Sequence, residues 1–278
     1  MADRSWPSFT QADSLEAVLR ARRDGAAVLA GGTWLMREPR RGGTLPVRVV
    51  TISGIAHLAE VSVGVDEVLV GAAVTHAALA DALRGLAGLE ALAAAAEGAA
   101  NPAIRRMATV GGNLCASGFS AADLVPALLA LDAQVELAGE TGTSWLDMER
   151  FVRERDECLK SAFVTRVRVP RAALASVHVR LPLRRAGDYP VAIVSLARMP
   201  DRGVRIAVGS VERDARRWRA LEEALGEWTG GDALALASRH NDFTGRESIE
   251  AEGWYRREVL PVLAVRALKA LASESTRP

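Results

Sequence analysis

The sequence predicts an α+β chain on three observations. Strand-like and helix-like segments alternate through its first half, the texture changes at Phe163 to successive strands, and the end returns to helical spacing. In chain order, Asp13 or Ser14 caps a short helix through Leu15, Val18 and Leu19, which Gly25 ends. The apolar run 27–30 reads as a buried strand entering Gly31-Gly32-Thr33 directly, and 47–52 as a second strand after an Arg/Pro/Gly-rich stretch. Residues 67–70 are strand-like, and Thr75 caps a helix carrying Leu79 and Leu83. An Ala-rich helix is predicted over 86–100, stopped at Asn101-Pro102. A polar, glycine-bearing loop is expected over 109–120, then a helix over 123–131 and a hairpin over 134–145. Further strands are predicted at 163–169, 177–183, 191–199 and 204–211, with Asp201-Arg202-Gly203 as a hairpin turn. Trp218, Leu221 and Leu225, and then Trp254, Val259, Val262, Val265 and Leu268, fall at helical spacing. A domain boundary is placed near Pro170.

With 278 residues the chain has room for two domains and a buried core, so a small disulfide scaffold is excluded. It is 49% hydrophobic, yet nowhere runs the roughly 18 apolar residues of a membrane helix. Its opening, MADRSWPSFT, has no apolar signal core, so a cytoplasmic protein without membrane insertion is expected. A net charge of +1 offers no field to gather nucleic acid, and no nucleic-acid partner is expected. Cys115 and Cys158 are the only cysteines, and the four histidines nowhere make a close pair. Neither an iron–sulfur cluster nor a zinc site of usual ligand count can be assembled from them, so no metal ligand is assigned.

Two glycine pairs carry the chemistry. They lie in Ala30-Gly31-Gly32-Thr33-Trp34 and Thr109-Val110-Gly111-Gly112-Asn113. Glycine permits a left-handed turn and lets a ligand approach the backbone, so successive N–H groups can cradle phosphate oxygens; a plain turn is the alternative. Thr33, Thr109 and Asn113 add polar side chains, and two such loops suit a ligand with two phosphates. No GxGxxG and no GxxxxGK[ST] occurs.

The stretch VLAGGTWLM, then IRRMATVGGN and SAADLVPALLALDAQVEL, resembles the FAD-binding medium subunit of the molybdenum hydroxylases, the xanthine dehydrogenase and carbon monoxide dehydrogenase family. The similarity continues in order through RVRVP, RLPLRRAGDYPVAIVSLA, VRIAVGSV and EGWYRREVLPVLAVRALKAL. It implies a flavin domain of the p-cresol methylhydroxylase or vanillyl-alcohol oxidase type over 1–170, made of two α/β subdomains split near 55. A C-terminal domain of antiparallel sheet and helices would follow over 171–278. Carried over by position, Ala30, Gly31, Gly32, Thr33 and Trp34 would form the first pyrophosphate loop. Thr109, Val110, Gly111, Gly112 and Asn113 would form the second. Asp123 would bond the adenosine side of FAD, Phe163 would lie next to the flavin, and Arg180 would be a basic group on the strand facing it. Without the resemblance these three read as a helix N-cap, a core residue and a solvated strand residue. The sequence departs from the family pattern at Trp34, at Arg106 where Asn is common, and at Gly118-Phe119, which replaces a frequent Asp-Pro.

Cys115 follows the second loop as either a reactive thiol or a buried structural cysteine. His57 and His76 read as capping or surface residues, and Asp188-Tyr189-Pro190 as polar trim on the flavin or a turn into a strand. No Ser/His/Asp or paired-carboxylate motif is found, and no catalytic side chain is assigned. The resemblance implies an electron-transfer oxidoreductase component. A large partner holds molybdopterin, a small partner holds two [2Fe–2S] clusters, and FAD in this chain passes electrons to NAD+, a quinone or another acceptor. A free-standing flavin oxidase or reductase, and an assembly subunit that has lost FAD, are the alternatives.

Overall fold

A computed structural model describes residues 7–183, 189–201, 203–226 and 232–274. Asp188 and Arg202, singled out in turns above, lie outside the described residues.

The first sheet is parallel: β1 (Ser8–Gln11), β3 (Arg48–Thr51) and β2 (Ala27–Leu29), in that spatial order. Its crossover helix α1 (Leu15–Arg23) is capped by Ser14, whose hydroxyl accepts from Ala17 N, and Arg20, Arg22 and Arg23 suit its negative C-terminal end. Strand β1 was not expected: all four of its side chains are exposed, so it carries no apolar alternation.

The second sheet is antiparallel, in the order β4 (Val61–Val63), β5 (Glu67–Gly71), β8 (Phe163–Pro170), β6 (Gln134–Gly139), β7 (Gly142–Asp147). Helices α2 (His76–Leu83), α3 (Glu90–Gly98), α4 (Pro102–Arg105), α5 (Val110–Cys115), α6 (Leu124–Ala130) and α7 (Met148–Ser161) belong to this part of the chain. The third sheet, also antiparallel, runs β12 (Arg216–Arg217), β11 (Val204–Gly209), β10 (Pro190–Arg198), β9 (Ala175–Pro182). Helices α8 (Arg219–Leu225), α9 (Ala233–Arg239) and α10 (Gly253–Glu274) close the chain.

Three expectations are corrected and one helix was not foreseen. The helix expected over 86–100 begins only at Glu90, because Gly88 is left-handed (φ 82°) with its backbone against Ala173 O. The stretch expected as a loop after Thr109 opens with the helical turn α5, capped by Thr109 itself. Helix α7 was missed because Arg155 occupies the inward position after Met148, Phe151 and Val152 where a fourth apolar residue would mark the stripe. In α10 the buried stripe is Leu260, Leu263, Ala264, Ala267, Leu268 and Leu271, whereas Trp254 and Val262 are exposed, so the apolar face is rotated from the one expected.

Two buried clusters result. One joins the first two sheets and their helices; the other lies between β9–β11 and helices α8–α10. Every residue of α6 is buried, and the helix packs against α3, β10 and β11. That places Asp123, immediately before α6, where the first half of the chain meets the third sheet. Among the described residues no helix is long and apolar enough to cross a membrane.

Candidate functional site

A cleft of about 900 Å3 opens where β2, α5 and β9 converge with the residues just before α6. That is the upper end of the volumes that hold small-molecule ligands and cofactors, roughly 300–1,000 Å3. Both glycine segments line it, together with Asp123, Phe163 and Arg180.

Strand β2 delivers the first segment. Gly31 packs so closely on the next segment that a Cβ there would stand 1.8 Å from Met107 O. Gly32 is left-handed (φ 72°), so the chain turns sharply after Ala30. No hydrogen bond of the described chain uses the N–H groups of Gly31, Gly32, Thr33 or Trp34. Four successive free amides in a turn form the kind of concavity that binds an anion. Arg22 and Arg37 line the same cleft and have no acidic partner among the described residues. The acidic groups of the cleft are paired: Glu38 with Arg41, Asp123 with Arg180. The uncompensated charge of the cleft is therefore positive, as a diphosphate requires.

The second segment serves differently from expectation. Val110 N is bonded to Val74 O at 2.9 Å, Gly111 N to Ala72 O at 2.8 Å, and Asn113 N to Thr109 O at 2.9 Å. Gly112 N is taken by the Thr109 hydroxyl at 3.1 Å. These amides are spent on the fold, and Val110 is turned into the core and does not line the cleft. What the segment presents is the bare face of Gly111 and Gly112 and the amide of Asn113, whose Oδ1 is buried without a partner. A side chain at Gly111 is excluded by Ala72, whose Cβ would lie 2.7 Å away.

Trp34 ties the first segment to the stretch that follows the second. Its indole donates to Ser117 O at 3.2 Å and stacks on Phe119 with centroids 4.5 Å apart. Phe119 in turn meets Tyr189 edge-on at 5.4 Å. The Arg41 guanidinium covers Trp34 at 3.8 Å, and Arg37 donates to the Tyr189 hydroxyl at 3.1 Å. The result is an aromatic wall along the cleft, with Tyr189 at its far end.

Asp123 has turned away from capping: no backbone N–H of α6 bonds its side chain. Its carboxylate is buried, with Oδ1 3.1 Å from Arg180 Nε and 3.5 Å from His178 Nε2. Arg180 also donates to Gly98 O at 2.6 Å. The resemblance sends Asp123 to the adenosine side and Arg180 to the flavin, whereas here the two are one ion pair and share one end of the cleft. Phe163, at the start of β8, is buried among the lining residues Leu159 and Val164.

His76 is the residue sequence reasoning misplaced. It follows Thr75, the cap of α2, and is 2% exposed, borders the cleft, and has no hydrogen-bond partner on either nitrogen. Burial holds its imidazole down to about 4; the nearby Asp123 charge pulls the other way and loses. Below its ordinary value near 6.5 the unfolded chain takes up a proton that the fold refuses, so stability falls as pH drops from about 6.5 to about 4, by about 3 kcal/mol. Denaturant midpoints at neutral and acid pH should therefore diverge less in His76→Gln than in the wild type; parallel pH profiles would contradict this.

Cys115 also lines the cleft, and burial of its thiol pushes it up to about 12, which favours the structural-cysteine reading over the reactive thiolate. His57 is exposed on the turn Ala56–Ala59.

Residues 5–172 match the family described as the FAD binding domain in molybdopterin dehydrogenase. Over 98% of its length the chain is 29% identical to the alpha subunit of the 6-hydroxypseudooxynicotine dehydrogenase complex of Paenarthrobacter nicotinovorans, of which 97% is covered. It is 26% identical to the glyceraldehyde dehydrogenase medium chain of Sulfolobus acidocaldarius, over 95% of this chain and 98% of that one. In fold it is similar to a chain of quinoline 2-oxidoreductase from Pseudomonas putida 86, with a TM-score of 0.86, 21% identity, and coverage of 98% and 99%. A chain of carbon monoxide dehydrogenase from Hydrogenophaga pseudoflava aligns with a TM-score of 0.85 at 22% identity, over 96% and 97%.

Proposed function

The chain belongs to the family of FAD-binding domains of molybdopterin dehydrogenases, and on that premise we propose that it is the flavin station of a multi-subunit molybdenum hydroxylase. A large partner would hold molybdopterin and a small one [2Fe–2S] clusters, with NAD+ or a quinone as acceptor. The division of the chain at 170 into a flavin domain and a C-terminal domain is part of the same reading.

The observation that carries it is the row of free amides from Gly31 to Trp34, set in a cleft whose unpaired charges are Arg22 and Arg37. These groups are placed to hold a pyrophosphate, and the Asp123 carboxylate to accept from a sugar or ribityl hydroxyl. Trp34, Phe119 and Tyr189 would give a bound ligand an apolar wall on one side. The Arg180 cation, beside Asp123, would favour negative charge on a reduced ring bound next to it. When bound, FAD supplies two-electron chemistry that can be loaded one electron at a time, and the protein's part is binding, orientation and electrostatics. No protein nucleophile or general base is required. Cys115 and Cys158 are too few to hold a cluster, so iron–sulfur ligands would come from the partners.

Titrating the purified full chain with FAD tests the reading: saturable uptake of one flavin per chain is expected, and no uptake overturns it. Isolation from the native host separates a subunit from a free-standing flavin enzyme. A molybdenum-containing chain and an iron–sulfur chain should co-purify.

A further inference from the structure

Resting on the FAD reading, we infer that His178 is a positioning residue, held by Ser195, that fixes the carboxylate of Asp123 for a hydroxyl of the bound dinucleotide.

His178 and Ser195 face each other across the β9–β10 pair, in register. His178 Nδ1 lies 2.9 Å from Ser195 Oγ, and its Nε2 lies 3.5 Å from Asp123 Oδ1. Arg180, two residues along the same strand and so on the same face, brings Nε to 3.1 Å from that oxygen. One strand thus brings two nitrogens to ion-pair distance of one carboxylate oxygen, without a hydrogen bond closing between any of the three atoms. Facing a carboxylate, the imidazole carries its proton on Nε2; Nδ1 is then an acceptor, and the Ser195 hydroxyl donates to it. The serine sets the tautomer. Oδ1 thereby has both nitrogens at its back, at 3.1 and 3.5 Å, and the carboxylate they flank lines the cleft, where a ligand hydroxyl can donate to it.

The Asp–His–Ser order resembles a hydrolytic triad, but burial excludes that use. Ser195 is fully buried, the His178 side chain nearly so, and neither borders the cleft, so no substrate carbonyl can reach the hydroxyl. A buried relay ending on a carboxylate at a cleft wall can only orient that carboxylate. The reach is from the third sheet into a cleft otherwise built by the first half of the chain, so loosening of β9 or β10 would be felt at the ligand.

A double-mutant cycle on the full chain, read by quenching of flavin fluorescence, tests this. His178→Leu should weaken FAD about tenfold. Asp123→Asn should weaken it at least as much, and the double variant should bind no more weakly than Asp123→Asn alone, because His178 acts only through Asp123. Additive losses, or His178→Leu binding as the wild type does, overturn the inference. Should His178→Leu not fold, Ser195→Ala, which deletes only a hydroxyl, should weaken FAD and release the tautomer, read by 15N shifts of His178. A wild-type His178 protonated on Nδ1 rather than Nε2 equally overturns it. A wild-type chain that takes up no FAD removes the underlying reading itself, whereas unaffected variants of a chain that does bind remove only this inference.

Discussion

Gly31→Ala is expected to leave a folded chain that no longer retains flavin. The added Cβ would meet Met107 O at 1.8 Å, Met107 C at 2.7 Å and Ala108 Cα at 3.1 Å, all backbone atoms with no flexible end to yield. The two segments must part, at the upper end of overpacking costs, about 3 kcal/mol. The damage is directed at the cleft: Ala108 O accepts from His76 N at 2.9 Å, and Thr109 caps α5, so a shift of residues 107–109 moves His76 and the second glycine pair together. FAD affinity should fall on the order of a hundredfold. Titration alongside circular dichroism checks it: native secondary structure with lost flavin binding is the expected pair, and unchanged affinity would contradict the close approach.

Asp123→Ala is expected to cost more stability than any surface change. The carboxylate is buried beside Arg180 and His178, and its removal takes away the acidic side of the Asp123–Arg180 pair. Breaking one side of a buried pair costs about 3–5 kcal/mol. For a chain of this size that lowers the melting temperature on the order of 10 °C. The scan belongs in the absence of FAD, so that loss of ligand does not add to the shift. A melting temperature equal to the wild type's would show that Asp123 is not structurally coupled to Arg180.

The order of elements was largely legible because most strands carry apolar runs and most helices a cap. Ser14, Thr75 and Thr109 each accept a hydrogen bond from the amide three residues on. β1 and α7 were not legible, the one for want of any buried side chain, the other because a buried arginine interrupts its stripe. At the site, the glycines announced the segments but not their division of labour. Gly31 and Gly32 expose amides, whereas the amide of Gly111 is consumed by Ala72, far away in sequence, and that of Gly112 by the capping hydroxyl of Thr109. His76 read as a surface or capping residue since nothing local marks burial. The Asp123–His178–Ser195 relay exists only through the β9–β10 register, so no motif could reveal it.

The central claim is that a dinucleotide's pyrophosphate is held by the free amides from Gly31 to Trp34. Backbone amide NMR of the deuterated full chain, with and without FAD, tests it most directly. The amides of Gly31, Gly32, Thr33 and Trp34 should shift strongly and become protected from exchange on FAD addition, while those of Val110 and Gly111, already bonded to Val74 O and Ala72 O, should keep the protection they have. FAD bound with the Gly31–Trp34 amides still exchanging as in the free chain would contradict it.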